Sequence, residues 1–203
     1  MARGVARTGE PGEATERFLQ ILSEAARLFA NNGYDGTSMR DIAEACGISK
    51  SLLYHHFTDK DEIFARIALG STRELYQFVF DRLPEGAAPS ARIRAFMTAT
   101  GEYFERYRWA WLASTSAFWN DPQQRREKER MMWRDRYEGL IRTLIQDAVE
   151  AGEIRPLDVP LAGRMLLSTL NWMNRWYKPD KGLSAAGIAD AYYDMIFNGL
   201  RAG

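Results

Sequence analysis

The sequence predicts an all-α protein built from a small N-terminal helical unit and a larger C-terminal one. Along most of the chain apolar residues recur at steps of three and four, which is the period of an amphipathic helix. Capping residues, glycines and prolines divide this pattern into about nine helices. No stretch shows the alternation of a convincing β-strand, and 203 residues are enough to bury a sizeable core.

Composition restricts the class of protein further. The 27 Lys and Arg residues equal the 27 Asp and Glu residues, so any contact with a nucleic acid must come from a local patch. The single cysteine, Cys46, excludes an internal disulfide framework. Neither a secretory leader nor an apolar run long enough to cross a bilayer is evident, so we expect a cytoplasmic protein that does not span the membrane.

The first predicted helix follows a flexible N-terminal arm. Residues 1–14 carry no apolar period and include two basic side chains, Arg3 and Arg7. From about residue 14 to residue 32 an apolar face repeats at helical spacing, and Gly33 supplies a stop. This face consists of Phe18, Ile21, Leu22, Ala25, Ala26 and Phe29.

Two short helices joined by a tight turn come next. Ser38, with Asp41 three residues later, can form a capping box that opens a helix over residues 39–46. Gly47 can adopt the left-handed conformation with which a chain leaves one helix and starts another at a steep angle. Ser49 can cap the second helix, from residue 50 to about residue 57.

These short helices have an apolar side and a polar side. The apolar positions, which would hold the helices together, are Ile42, Ala43, Cys46, Ile48, Leu53 and Phe57. The outward polar positions, which can donate hydrogen bonds to phosphates or base edges, are Arg40, Lys50, Ser51, Tyr54 and His55. An ordinary three-helix core with a solvated face is the plainer interpretation, but the agreement of turn, caps and polar face favours a helix-turn-helix.

The rest of the chain predicts longer helices. Asp59 and Glu62 can form another capping box, opening a helix that runs to about residue 83, where Pro84 and Gly86 interrupt the pattern. Further helices are predicted at about residues 89–107, 109–119, 122–151, 160–177 and 184–201. Because no repeat or long linker separates them, the two units should pack directly on each other.

The stretches TSMRDIA at 37–43 and GISKSLLYHHF at 47–57, followed by Lys60, resemble the TetR family of transcriptional regulators. The resemblance covers about residues 15–71. It implies a helix-turn-helix DNA-binding domain over residues 15–75, with the second short helix in the major groove, and a ligand-binding and dimerisation domain over residues 76–203. Ser51 departs from the family pattern, which often has glycine there, so operator preference can differ.

The same resemblance implies which residues contact DNA. Those implied on phosphates are Ser38, Tyr54, His55 and Lys60, and those implied near base edges are Arg40, Lys50, Ser51 and Leu52. Ser49, which opens the recognition helix, completes the set. Phosphate contacts would set salt dependence, whereas contacts in the groove would set sequence preference.

The C-terminal unit is rich in aromatic residues. Its six Trp residues supply far more bulky surface than a small DNA-binding unit requires. Composition alone leaves open whether these side chains fill the core or line an apolar ligand cavity between helices.

The stretch LNWMNRWYKP at 170–179, with LS at 183–184 and IAD at 188–190, resembles TetR members that sense acyl-coenzyme A thioesters. It implies an effector with an apolar acyl part and an anionic nucleotide part, and control of lipid or organic-acid catabolism. The alternative is another hydrophobic effector, as in a drug-efflux regulator. Arg164 and Lys178 are further candidates for phosphate contacts. The expected ligand-binding residues are Phe118, Trp119, Trp133, Arg134, Tyr137, Met165, Trp172, Arg175 and Trp176.

The last two helices have apolar faces that we expect to pair across a twofold axis in a homodimer. Symmetry would set two recognition helices about 34–36 Å apart, as a pseudo-palindromic operator in double-stranded DNA requires. Effector binding would move the long helix at residues 61–83, change this spacing and release the DNA from the repressor. The expected interface residues are Ala162, Leu166, Ile188, Tyr192, Met195, Ile196 and Gly199.

Other function classes find less support in the residues. No nucleophile, base and orienting group occur at the spacing of an enzyme site, so neither catalytic residues nor a cofactor is predicted. Cys46 is interpreted as a small core residue. His55 and His56 point in different directions along a helix and lack matching ligands, so no metal site is predicted.

Overall fold

The computed structural model describes residues 11–113 and 127–199, which form helices joined by turns, with no strand among them. The all-α prediction is therefore confirmed. The helices are α1 (Pro11–Asn32), α2 (Met39–Ala45), α3 (Lys50–His56), α4 (Lys60–Phe80), α5 (Pro89–Arg106), α6 (108–113, up to the edge of the described residues), α7 (Glu127–Glu150), α8 (Val159–Trp176) and α9 (Ala185–Asn198).

Helix boundaries lie within a few residues of the predicted ones. α1 begins at Pro11 rather than at about residue 14, because proline is tolerated in the first turn of a helix. α4 ends at Phe80, short of the predicted residue 83. The predicted helical stretches 114–119 and 122–126 lie outside the described residues.

The N-terminal core joins α1, α2 and α3 to the first half of α4. Ile21 of α1, Ile42 of α2 and Leu53 of α3 are fully buried against one another, as the apolar pattern predicted. Cys46 is also buried, which confirms its interpretation as a core residue, and burial raises the pKa of its thiol. Ala113 of α6 completes this core, so a helix of the C-terminal unit packs on the N-terminal one.

Local hydrogen bonds explain how the two short helices begin. The hydroxyl of Ser38 accepts from the N–H of Asp41 at 3.2 Å, and the Asp41 carboxylate accepts from the N–H of Ser38 at 2.8 Å. This confirms the predicted capping box. Gly47 has a φ of 63°, the left-handed conformation predicted for the turn. Ser49 accepts from the N–H of Leu52 at 3.2 Å and caps α3.

The C-terminal core surrounds α5, whose Ile93, Phe96 and Met97 are fully buried. α5 and α9 lie so close together that a Cβ on Gly101 would stand 2.5 Å from the carbonyl oxygen of Ala185. The second half of α4 and parts of α6, α7 and α8 complete this core.

Two helices connect the cores. α4 places Ile63 in the N-terminal core and Val79 in the C-terminal one, and α6 likewise contributes Ala113 to the first and Trp111 to the second. A shift of either helix therefore changes packing in both units. None of the described helices combines the length and apolar character needed to cross a bilayer.

Candidate functional site

One side of α3 is exposed along its whole length. Leu53 is fully buried, whereas the neighbouring Leu52 and Tyr54 are 39% and 53% exposed. Lys50, Ser51 and His55 are exposed on the same helix. The structure therefore brings five predicted DNA-contacting residues together on a solvent-facing helix, which is the geometry that a recognition helix needs.

Ser38 and Arg40 lie at the start of α2. The Ser38 hydroxyl donates to the Asp41 carboxylate at 2.7 Å, and hydrogen bonds from Ser38 hold the pKa of Asp41 below its ordinary value. Arg40 pairs with Glu44 at 2.7 Å, with both side chains mostly exposed. An exposed ion pair of this kind is weak, so Arg40 can turn towards DNA at little cost.

Lys60 has a partner within the chain. Its ammonium donates to the carbonyl oxygen of Tyr34 at 2.7 Å and lies 4.0 Å from the centre of the Tyr34 ring. An ammonium has three donors, so this arrangement leaves donors for a phosphate. The phosphate contact of Lys60 stays a prediction.

A cavity of about 1110 Å³ lies between α4, α6, α7 and α8. Five guanidinium groups and two carboxylates line it, so its described wall is strongly cationic. The arginines are Arg130, Arg134, Arg142, Arg164 and Arg175, and the carboxylates are Asp135 and Glu138. The apolar part of the wall consists of Leu75, Trp111, Met131, Tyr137, Leu167 and Trp172.

Tyr137 forms part of the cavity floor. Its ring stacks on Phe96 with centroids 4.9 Å apart, and its hydroxyl lies 2.6 Å from that of Thr100. Because the Thr100 hydroxyl also donates to the carbonyl oxygen of Phe96, Tyr137 is the donor in this pair. Burial raises the pKa of Tyr137 well above its ordinary value, so its hydroxyl stays protonated.

The cavity brings together only some of the predicted ligand-binding residues. Arg134, Tyr137, Trp172 and Arg175 line it, as does the further candidate Arg164. Phe118 and Trp119 lie outside the described residues.

Trp133, Met165 and Trp176 lie elsewhere among the described residues. Trp133 packs on Tyr76 of α4, with ring centroids 5.6 Å apart, and is not among the described lining residues of the cavity. Met165 and Trp176 are about half exposed on another side of α8. Periodicity showed that these residues are apolar and helical, but it did not fix the side of the helix that meets the cavity.

Sequence reasoning missed several residues of the wall. Ser168 and Asn171 line the cavity with Arg164 and Arg175. These four follow each other along α8 at steps of four, three and four residues, so they share one face. This polar stripe on an otherwise apolar helix is the signal that could have identified them.

The predicted dimer interface needs one correction. Leu166 is only 2% exposed and packs in the core of its own subunit, so its side chain is not available to a partner. Met195 is half exposed, and Ile188, Tyr192 and Ile196 are partly exposed. Of the other expected residues, Ala162 is partly exposed and Gly199 is exposed.

A stripe of exposed apolar side chains runs along α8. We define the α8 apolar stripe as Leu161, Met165, Trp172 and Trp176, which are between 46% and 64% exposed. At 100° per residue these four lie within about 60° of one another, between the core face and the polar face. Within the described chain, no group of three or more His, Cys, Asp and Glu side chains is arranged to hold a metal ion.

Comparisons with known proteins identify the family. Residues 21–67 match the family model of bacterial regulatory proteins of the tetR family, and residues 86–200 match the tetracyclin repressor-like C-terminal domain. The chain is 30% identical over 203 residues to the HTH-type transcriptional repressor KstR2 of Mycobacterium tuberculosis, covering 93% of this chain and 95% of that protein. It belongs to the TetR family of transcriptional regulators.

Solved structures agree with this assignment. The TetR family regulator PfmR from Thermus thermophilus is 41% identical, with a TM-score of 0.83 over 90% of this chain and 99% of that one. AibR in complex with isovaleryl coenzyme A and operator DNA is 29% identical, with a TM-score of 0.74 over 91% of this chain and 100% of that one. Since the relatives are transcriptional regulators, the prediction of a DNA-binding regulator rather than an enzyme is confirmed.

Proposed function

We propose that this chain is a dimeric repressor that leaves its operator when an acyl-coenzyme A thioester binds the cavity between α4, α6, α7 and α8. One observation carries the proposal: five arginines line a cavity whose described wall also includes six aromatic or aliphatic side chains. A coenzyme A thioester needs both features, because its phosphates call for guanidinium groups and its acyl chain for apolar surface. AibR, a structural neighbour, binds isovaleryl coenzyme A.

The size of the cavity supports a large ligand. Cavities for drug-sized molecules have volumes of about 300–1,000 Å³. At about 1110 Å³ this cavity lies at the upper end of that range, so it has room for a ligand as large as a coenzyme A thioester.

A neutral hydrophobic effector, as in a drug-efflux regulator, is the second candidate. Such a ligand would cover the Arg175 guanidinium, for which the described chain provides no acceptor, without offering it one. Removing a charged group from water without a partner is costly, so Arg175 favours an anionic ligand.

The DNA-bound state would be a homodimer. We assign the interface to the α8 apolar stripe and to the exposed apolar side chains of α9, because half-exposed Met and Trp side chains gain most from burial between subunits. The exposed side of α3 in each subunit would then enter successive major grooves of a pseudo-palindromic operator.

Calorimetric titration tests the ligand class. The probes are coenzyme A, acetyl-, hexanoyl- and decanoyl-coenzyme A, and free hexanoate. We expect the thioesters to bind and hexanoate not to bind, because hexanoate offers one anionic group to five arginines. If no thioester binds, the effector assignment is wrong.

A matched pair of variants locates the site. The guanidinium of Arg175 forms no hydrogen bond or ion pair with another residue of the described chain, so it is available to a ligand. Arg175→Gln should weaken thioester binding by at least about tenfold, the loss of one charge-assisted contact. Arg155→Gln changes an exposed arginine outside the cavity and should leave binding unchanged. If Arg175→Gln and Arg155→Gln bind the thioester with equal affinity, the thioester does not bind at Arg175 in this cavity.

A further inference from the structure

An aliphatic side chain, that of Leu52, lies on the exposed side of α3. It is 39% exposed, whereas Leu53, the other aliphatic residue of this fully described helix, is completely buried. Leu52 belongs neither to the N-terminal core nor to the partly buried apolar residues that pack against it. Among the described residues, the packing of the core therefore does not explain a leucine at this position.

The surface around Leu52 is polar. Ser51 and His55, which lie on the same side of α3, are both exposed. Tyr54 is the other large side chain with apolar surface exposed on α3, and it lies about 160° away from Leu52 around the helix. No apolar stripe continues from Leu52 along α3, so this position does not have the extended apolar surface typical of a protein interface.

The backbone of Leu52 is held in the first turn of α3. Its N–H donates to the hydroxyl of Ser49, the capping residue, at 3.2 Å. In helix-turn-helix proteins the first residues of the recognition helix contact base edges. The Leu52 side chain would therefore meet bases, and contacts with bases are the ones that carry sequence information.

The chemistry of the major groove restricts which base an aliphatic side chain can recognise. All four bases present hydrogen-bond donors or acceptors in this groove, and thymine alone also presents a methyl group. A leucine side chain forms no hydrogen bond. Over another base it would cover polar atoms without giving them a partner, which costs free energy.

We infer that Leu52 sets part of the operator sequence by packing on the C5 methyl group of a thymine. This inference rests on the proposal that α3 enters the major groove, and it does not depend on the effector. Lys50 lies about 160° from Leu52 around α3. The thymine would therefore belong to a different base pair from the one that Lys50 contacts.

Replacement of thymine by deoxyuridine removes only the methyl group and tests the inference. The probe is the duplex bound most tightly in a selection from a library of random duplexes, and each of its thymines is replaced in turn. At one position at least, the parent protein should lose about fourfold in affinity, the factor that corresponds to burial of one methyl group. Leu52→Ala should bind the unmodified duplex less tightly and should show no further loss at that position. Fluorescence anisotropy measures these affinities.

Two further variants serve as controls. Leu19→Ala shortens an exposed leucine on α1 and should keep both the affinity of the parent protein and its loss on removal of the methyl group. Lys50→Ala should bind less tightly and yet keep that loss, because its side chain would contact another base pair. Circular dichroism checks that each variant is folded.

The outcomes separate the role of Leu52 from the place of α3. If no deoxyuridine replacement weakens binding, Leu52 does not recognise thymine, although α3 can still enter the groove. The same holds if every replacement weakens the parent protein and Leu52→Ala by equal factors. If the selection enriches no sequence, both the thymine contact and the place of α3 in the major groove are excluded.

Discussion

Lys50 and Tyr54 reach solvent from α3 because Leu53, beside Tyr54 in the chain, is fully buried in the N-terminal core. Capping and turn residues act over about four positions, so their roles could be predicted from sequence. Ser38, Gly47 and Ser49 adopt the conformations that the pattern indicated. Single residues thus determine where α2 and α3 begin and turn, and the burial of Leu53 determines which side of α3 is exposed.

The two lysines of the DNA-binding domain should behave differently when replaced by alanine. Lys50 is exposed on α3, so Lys50→Ala should weaken operator binding by about tenfold and random duplex binding much less. Lys60→Ala should weaken binding to the operator and to the random duplex alike. It should also lower the steepness with which the logarithm of the affinity falls with the logarithm of the salt concentration, by about one released counterion. Fluorescence anisotropy with upstream and scrambled duplexes at several salt concentrations measures both effects. Equal losses for Lys50→Ala on both duplexes would contradict its place in the groove.

Glu62 predicts a pH dependence of stability. Its carboxylate accepts from the N–H and hydroxyl of Thr58 and from Arg66, and these donors lower its pKa to about 2. Because the folded pKa lies below the unfolded value of about 4.3, the stabilisation is present above that value and is lost as the pH falls towards 2. Glu62→Gln should therefore reduce the dependence of the free energy of unfolding on pH over this window.

Urea unfolding between about pH 2 and pH 5, at fixed protein concentration, measures this prediction. Asp61→Asn removes a carboxylate from the same helical turn and should keep the slope due to Glu62. If the free energy of unfolding of Glu62→Gln depends on pH as steeply as that of the parent protein, the Glu62 carboxylate does not cause this dependence.

At the scale of helices, α8 shows why the ligand site was predicted only in part. The helix has three sides: Leu166 and Leu170 lie in the core, Arg164 and Arg175 line the cavity, and Met165 is exposed. Periodicity distinguishes apolar from polar positions, but a core side and an interface side look alike in sequence. Only the packing of α8 on α7 separates them, which is why Leu166 was placed at the interface.

The close approach of α5 and α9 predicts an intolerant position. A methyl group on Gly101 would stand 2.5 Å from the backbone oxygen of Ala185, and backbone cannot move aside as a side chain can. Gly101→Ala should therefore lower the free energy of unfolding by about 1–3 kcal/mol. Gly139→Ala, in α7 with nothing within 4 Å of its Cβ, should raise it by about 0.5–1 kcal/mol. Chemical unfolding compares them, and equal effects would contradict the packing described.

At the scale of the whole molecule, the cavity touches both helices that connect the cores. Ser71 and Thr72 of α4 and Trp111 of α6 line it, while Ile63 and Ala113 of the same helices pack in the N-terminal core. A ligand that displaced either helix would therefore also disturb the core on which α3 packs. The sequence predicted this arrangement only for α4, because the place of α6 depends on tertiary contacts.

Charge in the α8 apolar stripe should disrupt the proposed dimer. Met165→Glu places a carboxylate in a surface that the dimer would remove from water, so it should shift the protein to monomers and weaken operator binding. Leu19→Glu changes a similarly exposed apolar residue on α1. This control variant should still sediment with the mass of a dimer. Sedimentation velocity measures both masses, and a dimeric Met165→Glu would place the interface elsewhere.

Coupling between the effector cavity and the DNA-binding surface is tested most directly by one measurement. The affinity of the tightest-binding thioester is determined with and without a saturating operator duplex. Thermodynamic linkage requires that operator DNA lowers the affinity for the thioester by the same factor by which the thioester lowers the affinity for DNA. We predict a factor of at least about five. Identical affinities with and without the duplex would show that the cavity does not control release, and would contradict the account.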